Sequence, residues 1–314
     1  MKVIPFWSTQ TGSFSAVAGG HYRCTNVAGA WIEITIPASG EFVVWRAGPG
    51  AVVVWASTLL DGYTSTSINF PRGITRMWHD GTGWRTEHPD TMGAIDTAGL
   101  AILCVADKGI VTSGSNVTSW TDQIGGRVFT VGGGTPTYSA TGLTNHPGVA
   151  FPSSAWLTSA ITGIDAYGTL SAAAWSGAHN GMGASRRTVY SRSSGTQGIE
   201  FGFSGGSPSY LRNNSSSSGV NGEASEPGAW GYTRYTDPAG AYRNAFWARQ
   251  AFSEGSAIST YANGGADLRI GIGNGGTNMW GDAPLYGFAF WHTTTPTSSR
   301  LAAAVRWFHY AGTD

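Results

Sequence analysis

Short apolar runs cut by glycine and proline dominate this sequence, and where apolar side chains recur they do so at every second residue. In Trp31-Ile32-Glu33-Ile34-Thr35-Ile36 the isoleucines stand on one side, and Glu33 and Thr35 on the other. Successive side chains of an extended chain point to opposite faces, so this pattern predicts a strand with one buried face. Glu41 to Trp45 and Ala51 to Trp55 read as further strands. Pro37, Gly48-Pro49-Gly50 and Asp61-Gly62 punctuate them as turns. A hairpin is predicted from Ile74-Thr75-Arg76-Met77-Trp78, a turn from His79 to Gly83, and Trp84-Arg85-Thr86. Nothing in residues 1–90 has helical period, so this stretch reads as a small all-β module.

Pro89-Asp90-Thr91-Met92-Gly93 carries turn formers and no periodicity, which suggests a boundary at 89–97. From 98 to 314 strands are expected again, beginning with Leu100 to Ala106 and ending with Leu285 to Trp291. Between them lie Arg127 to Val131, Gly148 to Phe151, Leu170 to Trp175, Thr188 to Ser191, Ile199 to Phe203, Trp230 to Tyr235, Tyr242 to Trp247 and Leu268 to Ile272. Short strands with Gly/Ser/Asn loops fit a two-sheet sandwich. Ser215 to Ser218 reads as a flexible loop. One helix is expected near the end, from Ser298 to Ala311, after Pro296. Leu301, Val305 and Phe308 recur there at i, i+4, i+7 and form a stripe for packing on the sandwich.

Composition excludes several classes. Acidic and basic residues balance at 18 each, so there is no basic patch of the kind that neutralises phosphates, and no nucleic-acid partner is expected. Gly numbers 47 in 314, about twice the ordinary ~7%, while aromatics reach 12%; that much apolar surface opposes disorder. The longest apolar runs fall far short of the ~20 residues of a membrane-spanning helix, so no membrane insertion is expected. The N-terminus lacks the apolar stretch of about 7–15 residues of an export signal, and synthesis in the cytoplasm is the expectation. Cys24 and Cys104 build no disulfide framework, and no Cys/His cluster suggests zinc.

Four stretches of the second segment, in order, carry a resemblance. They are Gly99-Leu100-Ala101-Ile102-Leu103, Val117-Thr118-Ser119-Trp120-Thr121-Asp122-Gln123-Ile124-Gly125-Gly126, Thr135-Pro136-Thr137-Tyr138, and Gly142-Leu143-Thr144-Asn145-His146-Pro147-Gly148-Val149-Ala150-Phe151. With the final strand and helix, they resemble the laminin-G-like, concanavalin A-like jelly-roll domains of phage virion proteins and bacterial surface proteins. Ile124 and His146 depart from that pattern, which has Ser and Gly there. Thr11 to Tyr22, Ile34 to Ala38 and Asp80 to Trp84 resemble a small β module of phage fibre and appendage proteins. The fold implied is all-β: a β module (1–90) for particle attachment or oligomerisation, then a concanavalin A-like jelly-roll β-sandwich (98–314) with a short C-terminal helix. The setting implied is a virion or phage-like particle, including gene transfer agents, in a tail fibre, head spike or neck appendage. Release by lysis would account for the lack of an export signal.

Catalytic patterns are weak. Jelly-roll glycosidases place carboxylates about 5–5.5 Å apart for retaining hydrolysis, and no acidic run of that type occurs. Glu223 and Glu226 face each other across a Pro/Gly/Ser loop that does not orient them. Gly202-Phe203-Ser204-Gly205-Gly206 matches G-x-S-x-G but no helix is expected after it. Gly271 to Gly276 matches G-x-G-x-x-G and equally lacks a following helix. Asp107, Asp122 and Asp282 are candidate loop acids for Ca²⁺, with Asp122 better read as a turn former bonding its own backbone.

Sugar binding is the sharper expectation. A pyranose has apolar C–H faces and a polar rim, so its site wants an exposed aromatic ring beside Asn, Asp or Arg. One loop cluster of this kind is Asn274, Asn278, Trp280 and Asp282. Another is Tyr210, Arg212, Asn213 and Asn214, extended by Trp230, Tyr232 and Tyr235. The competing reading is that these aromatics fill the sandwich. The expectation is therefore a non-catalytic structural protein of a phage or phage-like particle that binds host-surface polysaccharide. Its further partners are other virion subunits and copies of itself, and no cofactor is expected. The alternatives are a purely structural decoration or adaptor protein, and a polysaccharide-degrading enzyme.

Overall fold

The computed structural model describes residues 6–27, 30–56, 66–87, 93–97, 99–143, 146–152, 154–160, 171–176, 186–194, 197–204, 207–208, 210–213, 216–219, 228–236, 242–248, 251–258, 267–272, 281–291 and 303–308. Strands of the first segment are β1 (Ser8–Gln10), β2 (Phe14–Ser15), β3 (His21–Cys24), β4 (Trp31–Thr35), β5 (Glu41–Arg46), β6 (Ala51–Ala56), β7 (Thr66–Asn69), β8 (Gly73–His79), β9 (Trp84–Thr86) and β10 (Gly93–Asp96). The next are β11 (Leu100–Val105), β12 (Ile110–Ser113), β13 (Asn116–Thr121), β14 (Val128–Gly133), β15 (Thr137–Leu143), β16 (His146–Phe151), β17 (Trp156–Ala160), β18 (Ser171–Ser176) and β19 (Arg186–Ser194). The last are β20 (Gln197–Ser204), β21 (Ser207–Pro208), β22 (Tyr210–Asn213), β23 (Ser216–Gly219), β24 (Gly228–Thr236), β25 (Tyr242–Ala248), β26 (Ala251–Ile258), β27 (Asp267–Ile270) and β28 (Gly281–Trp291). A helix, α1, covers 303–308. The chain is all-β with this short helix, as its patterning predicts.

The first segment winds. β1, β3 and β5 stack in parallel in one sheet, and β2, β4 and β6 stack in parallel in another. Parallel neighbours require a crossover, and here each crossover is a strand of the opposite sheet. The winding then reverses. β8 and β9 add antiparallel to the first sheet, and β7 and β10 to the second. β10 falls inside the 89–97 stretch that has no period in the sequence. The alternation sets the inside: Tyr22, Phe42, Val44 and Met77 of the first sheet meet Ile32, Ile34, Val52 and Val54 of the second. Arg46, also inside, donates to the carbonyls of Gly50 at 3.0 Å, Phe70 at 2.7 Å and Pro49 at 3.0 Å.

β6 is buried on both faces. Val52 and Val54 face the module, whereas Ala51 and Val53 belong to the apolar cluster of the second segment. That explains a run without alternation, since both sides of such a strand are dry.

The second segment is a sandwich. One sheet runs β21-β20-β19-β27-β17-β14-β13, with β12 on β13. The other runs β15-β16-β28-β18-β24-β25-β26, with β11 on β28. A single residue pair, Asn116 with Thr137, links the two. Between them Trp120 meets Phe288 edge-on at 6.3 Å, and its indole N–H donates to the Val105 carbonyl at 3.1 Å. A buried indole thus has its one donor satisfied. Residues 285–291 of β28 are buried without alternation, because α1 and the module's second sheet cover the face turned away from Trp120.

The described part of the helix is shorter than the expected Ser298–Ala311, and Leu301 lies outside the described residues. Val305 and Phe308 are buried as the stripe predicts, but so are Ala303, Ala304 and Trp307. The cause is location. Ala303 packs into the module, and Ala304, Val305, Trp307 and Phe308 into the shared core, so the helix has water on little more than Arg306. Trp307 contacts Trp31 at 5.7 Å, and Asn69 donates to its carbonyl at 3.0 Å. The Glu33 carboxylate adds a polar tie. It accepts the Trp31 indole N–H at 3.1 Å, the Trp55 indole N–H at 3.3 Å, and the Lys108 ammonium from across the junction.

Cys24 and Cys104 are free and buried, in different clusters. Burial pushes the Cys24 thiol up to about 12, and pushes Cys104 well above the usual thiol range with the Asp122 charge adding to it.

A Cβ on Gly93 would sit 2.4 Å from the Trp307 Cα, so the helix backbone rests directly on β10. Gly93→Ala is expected to cost about 1–3 kcal/mol by overpacking. Trp307→Ala is expected to cost about 3–5 kcal/mol. Urea unfolding of each variant checks both, and loss confined to a separate, earlier transition would contradict a shared core.

Candidate functional site

The sequence-predicted sugar residues divide into two groups. Asn274, Asn278, Trp280 and Asn214 lie outside the described residues. Asp282 falls within β28, not in a loop, and the backbones of Trp230, Tyr232 and Tyr235 lie in β24. Tyr210, Arg212 and Asn213 form β22, which pairs with Ser216–Gly219 as β23. Tyr210, Arg212 and Asn213, and Ser216 to Ser218 of the expected flexible loop, are therefore corrected from loop to paired antiparallel strands, while Ser215 lies outside the described residues. The Ser and Asn content of these strands gives no apolar alternation, yet main-chain hydrogen bonds pair strands whatever their side chains. Of the G-x-S-x-G match, Gly202, Phe203 and Ser204 end β20, and Ser204 pairs with Ser207 of β21, a strand where a nucleophile elbow needs a helix.

The loop acids have structural work. Asp122 accepts the Leu103 N–H at 2.7 Å and the Ile124 N–H at 3.1 Å on Oδ1, and the Gly125 N–H at 2.8 Å on Oδ2. It is the turn former expected, and it also ties β11 to the turn after β13. Asp107 accepts the Tyr286 hydroxyl at 2.5 Å on Oδ2, while its buried Oδ1 has no hydrogen-bond partner among the described residues. Burial pushes this carboxyl up to about 6, against the lowering effects of the Tyr286 bond and the Arg46 charge. Among the described residues no three His, Cys, Asp or Glu side chains converge as metal ligands.

A different surface has the composition of a binding site: the outer face of the module's first sheet. With Phe42, Val44 and Arg46 turned inward, β5 presents Glu41, Val43 and Trp45 outward. β8 turns Thr75 and Met77 in, and Ile74, Arg76 and Trp78 out. β3 turns out His21 and Arg23. Register then assembles them. Thr9, Arg23, Trp45 and Ile74 form one row across β1, β3, β5 and β8. His21, Val43 and Arg76 form the next, and Glu41, Trp78 and Arg85 the third.

The rings of this face touch. Trp7 meets His21 at 5.5 Å and Trp45 at 5.5 Å, both edge-on. The Arg23 guanidinium lies 4.7 Å over the Trp45 ring, and that of Arg76 5.7 Å over Trp78. Such cation–π stacks fix a long side chain in place. The bordering acids are committed. Glu41 holds Arg76 at 2.5 Å and Asp80 holds Arg85 at 2.8 Å. The Asp80 carboxyl lies well below the usual range, chiefly because it accepts the Thr82 hydroxyl and the backbone N–H groups of Thr82 and Gly83.

At the β1 end of this face opens a cleft of about 770 Å³, lined by Phe6, Ser8, Val17, Gly19, Gly20, His21 and Tyr22. Phe6 is 91% exposed and Val17 63%. Tyr22 shapes the floor: its hydroxyl accepts the Val17 N–H at 2.7 Å, and a Cβ on Gly20 would stand 2.4 Å from that oxygen. His21 belongs to both cleft and face, and its buried Nδ1 has no hydrogen-bond partner among the described residues. Sequence reasoning missed this surface by searching the loops of the second segment. The signal was present: Trp45 and Trp78 fall on the polar side of their alternations, where an indole is half-buried on the outer face rather than core.

No protein-family model matches the sequence, and no curated protein matches it. Among solved structures, domain 4 of AbnA, an extracellular GH43 arabinanase from Geobacillus stearothermophilus in complex with arabinotriose, is similar at 11% identity and a TM-score of 0.45; the match covers 65% of this chain and 98% of that one. The botulinum neurotoxin serotype C1 binding domain is similar at 9% identity, TM-score 0.47, over 67% of this chain and 52% of that one. Trypanosoma rangeli sialidase is similar at 9% identity, TM-score 0.44, over 88% of this chain and 45% of that one.

Asp107 generates a pH prediction. Its folded carboxyl titrates above the about 3.9 of an unfolded Asp, so the fold disfavours the ionised form. Its contribution to stability is intact below about pH 4 and is lost as pH rises through about 6. Asp107→Asn is expected to match the parent near pH 4 and to exceed it near pH 7, by urea midpoint at each pH. A gap that does not widen with pH contradicts this.

Proposed function

We propose that this chain is a non-catalytic, carbohydrate-binding structural protein of a phage or phage-like particle. One observation carries the binding half: an outer sheet face on which the half-buried Trp7, Trp45 and Trp78 stand among stacked arginines beside an open cleft. Indole rings offer flat apolar area to the C–H face of a pyranose, and guanidinium N–H groups reach its oxygens. A rigid sheet presents them at little entropic cost, which favours affinity. The virion half rests on the ordered sequence stretches that resemble phage appendage modules. Closed cyclic oligomers are the norm for such assemblies. The absence of a paired-carboxylate pattern in the sequence supports binding without turnover.

A second reading has its own support. Phe6 and Val17 are large, apolar and exposed at the same end of the module, as a surface awaiting another subunit would be. On that reading the chain is a purely structural adaptor.

A glycan array probed with the assembled protein separates the two. Saccharide binding is expected, with no release of reducing ends over hours. Trp7→Ala and Trp45→Ala are each expected to weaken it about tenfold or more. Trp280→Ala tests the loop cluster of the second segment in the same way. Absence of binding to any saccharide favours the adaptor, and measurable hydrolysis overturns the non-catalytic half.

A further inference from the structure

We infer that the outer face of the first sheet takes an anionic saccharide, with Arg23 holding the acidic group; this rests on the carbohydrate-binding reading above. Charge accounting on that face leads there. Three arginines project from it. Arg76 is paired with Glu41 and Arg85 with Asp80. Arg23 has no acid within ion-pair distance among the described residues; its contact is the Trp45 ring at 4.7 Å. That contact holds the guanidinium beside the indole, on a side chain that is exposed to water. A preset fork of parallel donors matches a carboxylate, sulfate or phosphate oxygen pair, and a neutral hydroxyl fills it poorly.

The neighbours extend the site. His21 and Arg23 are two residues apart on β3, hence about 7 Å apart on the same face, roughly the span of one sugar ring with its acidic substituent. His21 lies on the same face, half-buried and edge-on to Trp7 at 5.5 Å. Trp7 touches both His21 and Trp45 and supplies the apolar wall. The sugar ring lies along Trp7 and His21, its hydroxyls toward the cleft and its anion on Arg23. Thr9 and Ile74 border the row without charge, and the two acids of this surface, Glu41 and Asp80, are paired with Arg76 and Arg85.

The test uses calorimetry on the full chain with matched ligands: a uronate-containing oligosaccharide, the same compound with its carboxyls reduced to alcohols, and a neutral counterpart carrying a sulfate ester. The expected result is at least tenfold tighter binding of an anionic form than of the reduced one, weakening with added salt. Arg23→Gln is expected to bring anionic and reduced forms to parity, with the larger loss falling on the anionic form. Arg23→Lys is expected to restore part of the preference. A preference for the sulfated ligand alone supports the inference with sulfate as the anion. Equal binding of reduced and anionic forms by the parent overturns this inference and leaves carbohydrate binding standing. So does a preference that survives in Arg23→Gln. Absence of binding to every ligand overturns both.

Discussion

Burial of β6 on both faces is the constraint on which the architecture depends. Val52 and Val54 close the module, while Ala51 and Val53 open onto the second core. A strand shared in this way cannot satisfy one side and ignore the other. The module therefore needs the sandwich, or an equal apolar cover, to remain folded. α1 and the Glu33 cluster reinforce the same seam from two chemistries, one apolar and one charged. The arrangement leaves the first sheet as the module's free face. That is why its outward side chains, and not those of the second sheet, are available to a ligand.

Much of the fold was legible from residues. The isoleucines of β4 and the hairpin of β8 and β9 follow from alternation and turn chemistry alone. Asp122 took the turn-forming role its local pattern implies. What stayed hidden had physical reasons. β22 and β23 are too polar to show a period. β10 is four residues long and lies beside prolines and glycines. Its partner, β7, is non-adjacent in sequence, so only tertiary pairing identifies it.

The winding of the module was also missed, although it left a trace. Trp31 pairs with Ala51 and Phe14 with Ile34, an offset of 20 residues in both cases. The inward residues keep the same spacing: Tyr22 and Phe42, Cys24 and Val44, Ile32 and Val52. The repeat is degenerate in identity and conserved only in apolar character. The candidate site escaped for a related reason. An outer-face Trp and a core Trp are the same letter, and only the parity of the strand tells them apart. Trp45 and Trp78 could be separated from Trp84 by that parity, whereas Trp7 precedes any alternation and joins the face only through its contacts with β3 and β5.

The two thiols carry a last implication. Each sits in its own apolar compartment, with the proton held tightly by its surroundings, so neither offers the thiolate that oxidants and disulfide exchange attack. The two cysteines are thus closed to disulfide chemistry, and the fold can pass between reducing and oxidising surroundings without a cross-link forming between them or breaking.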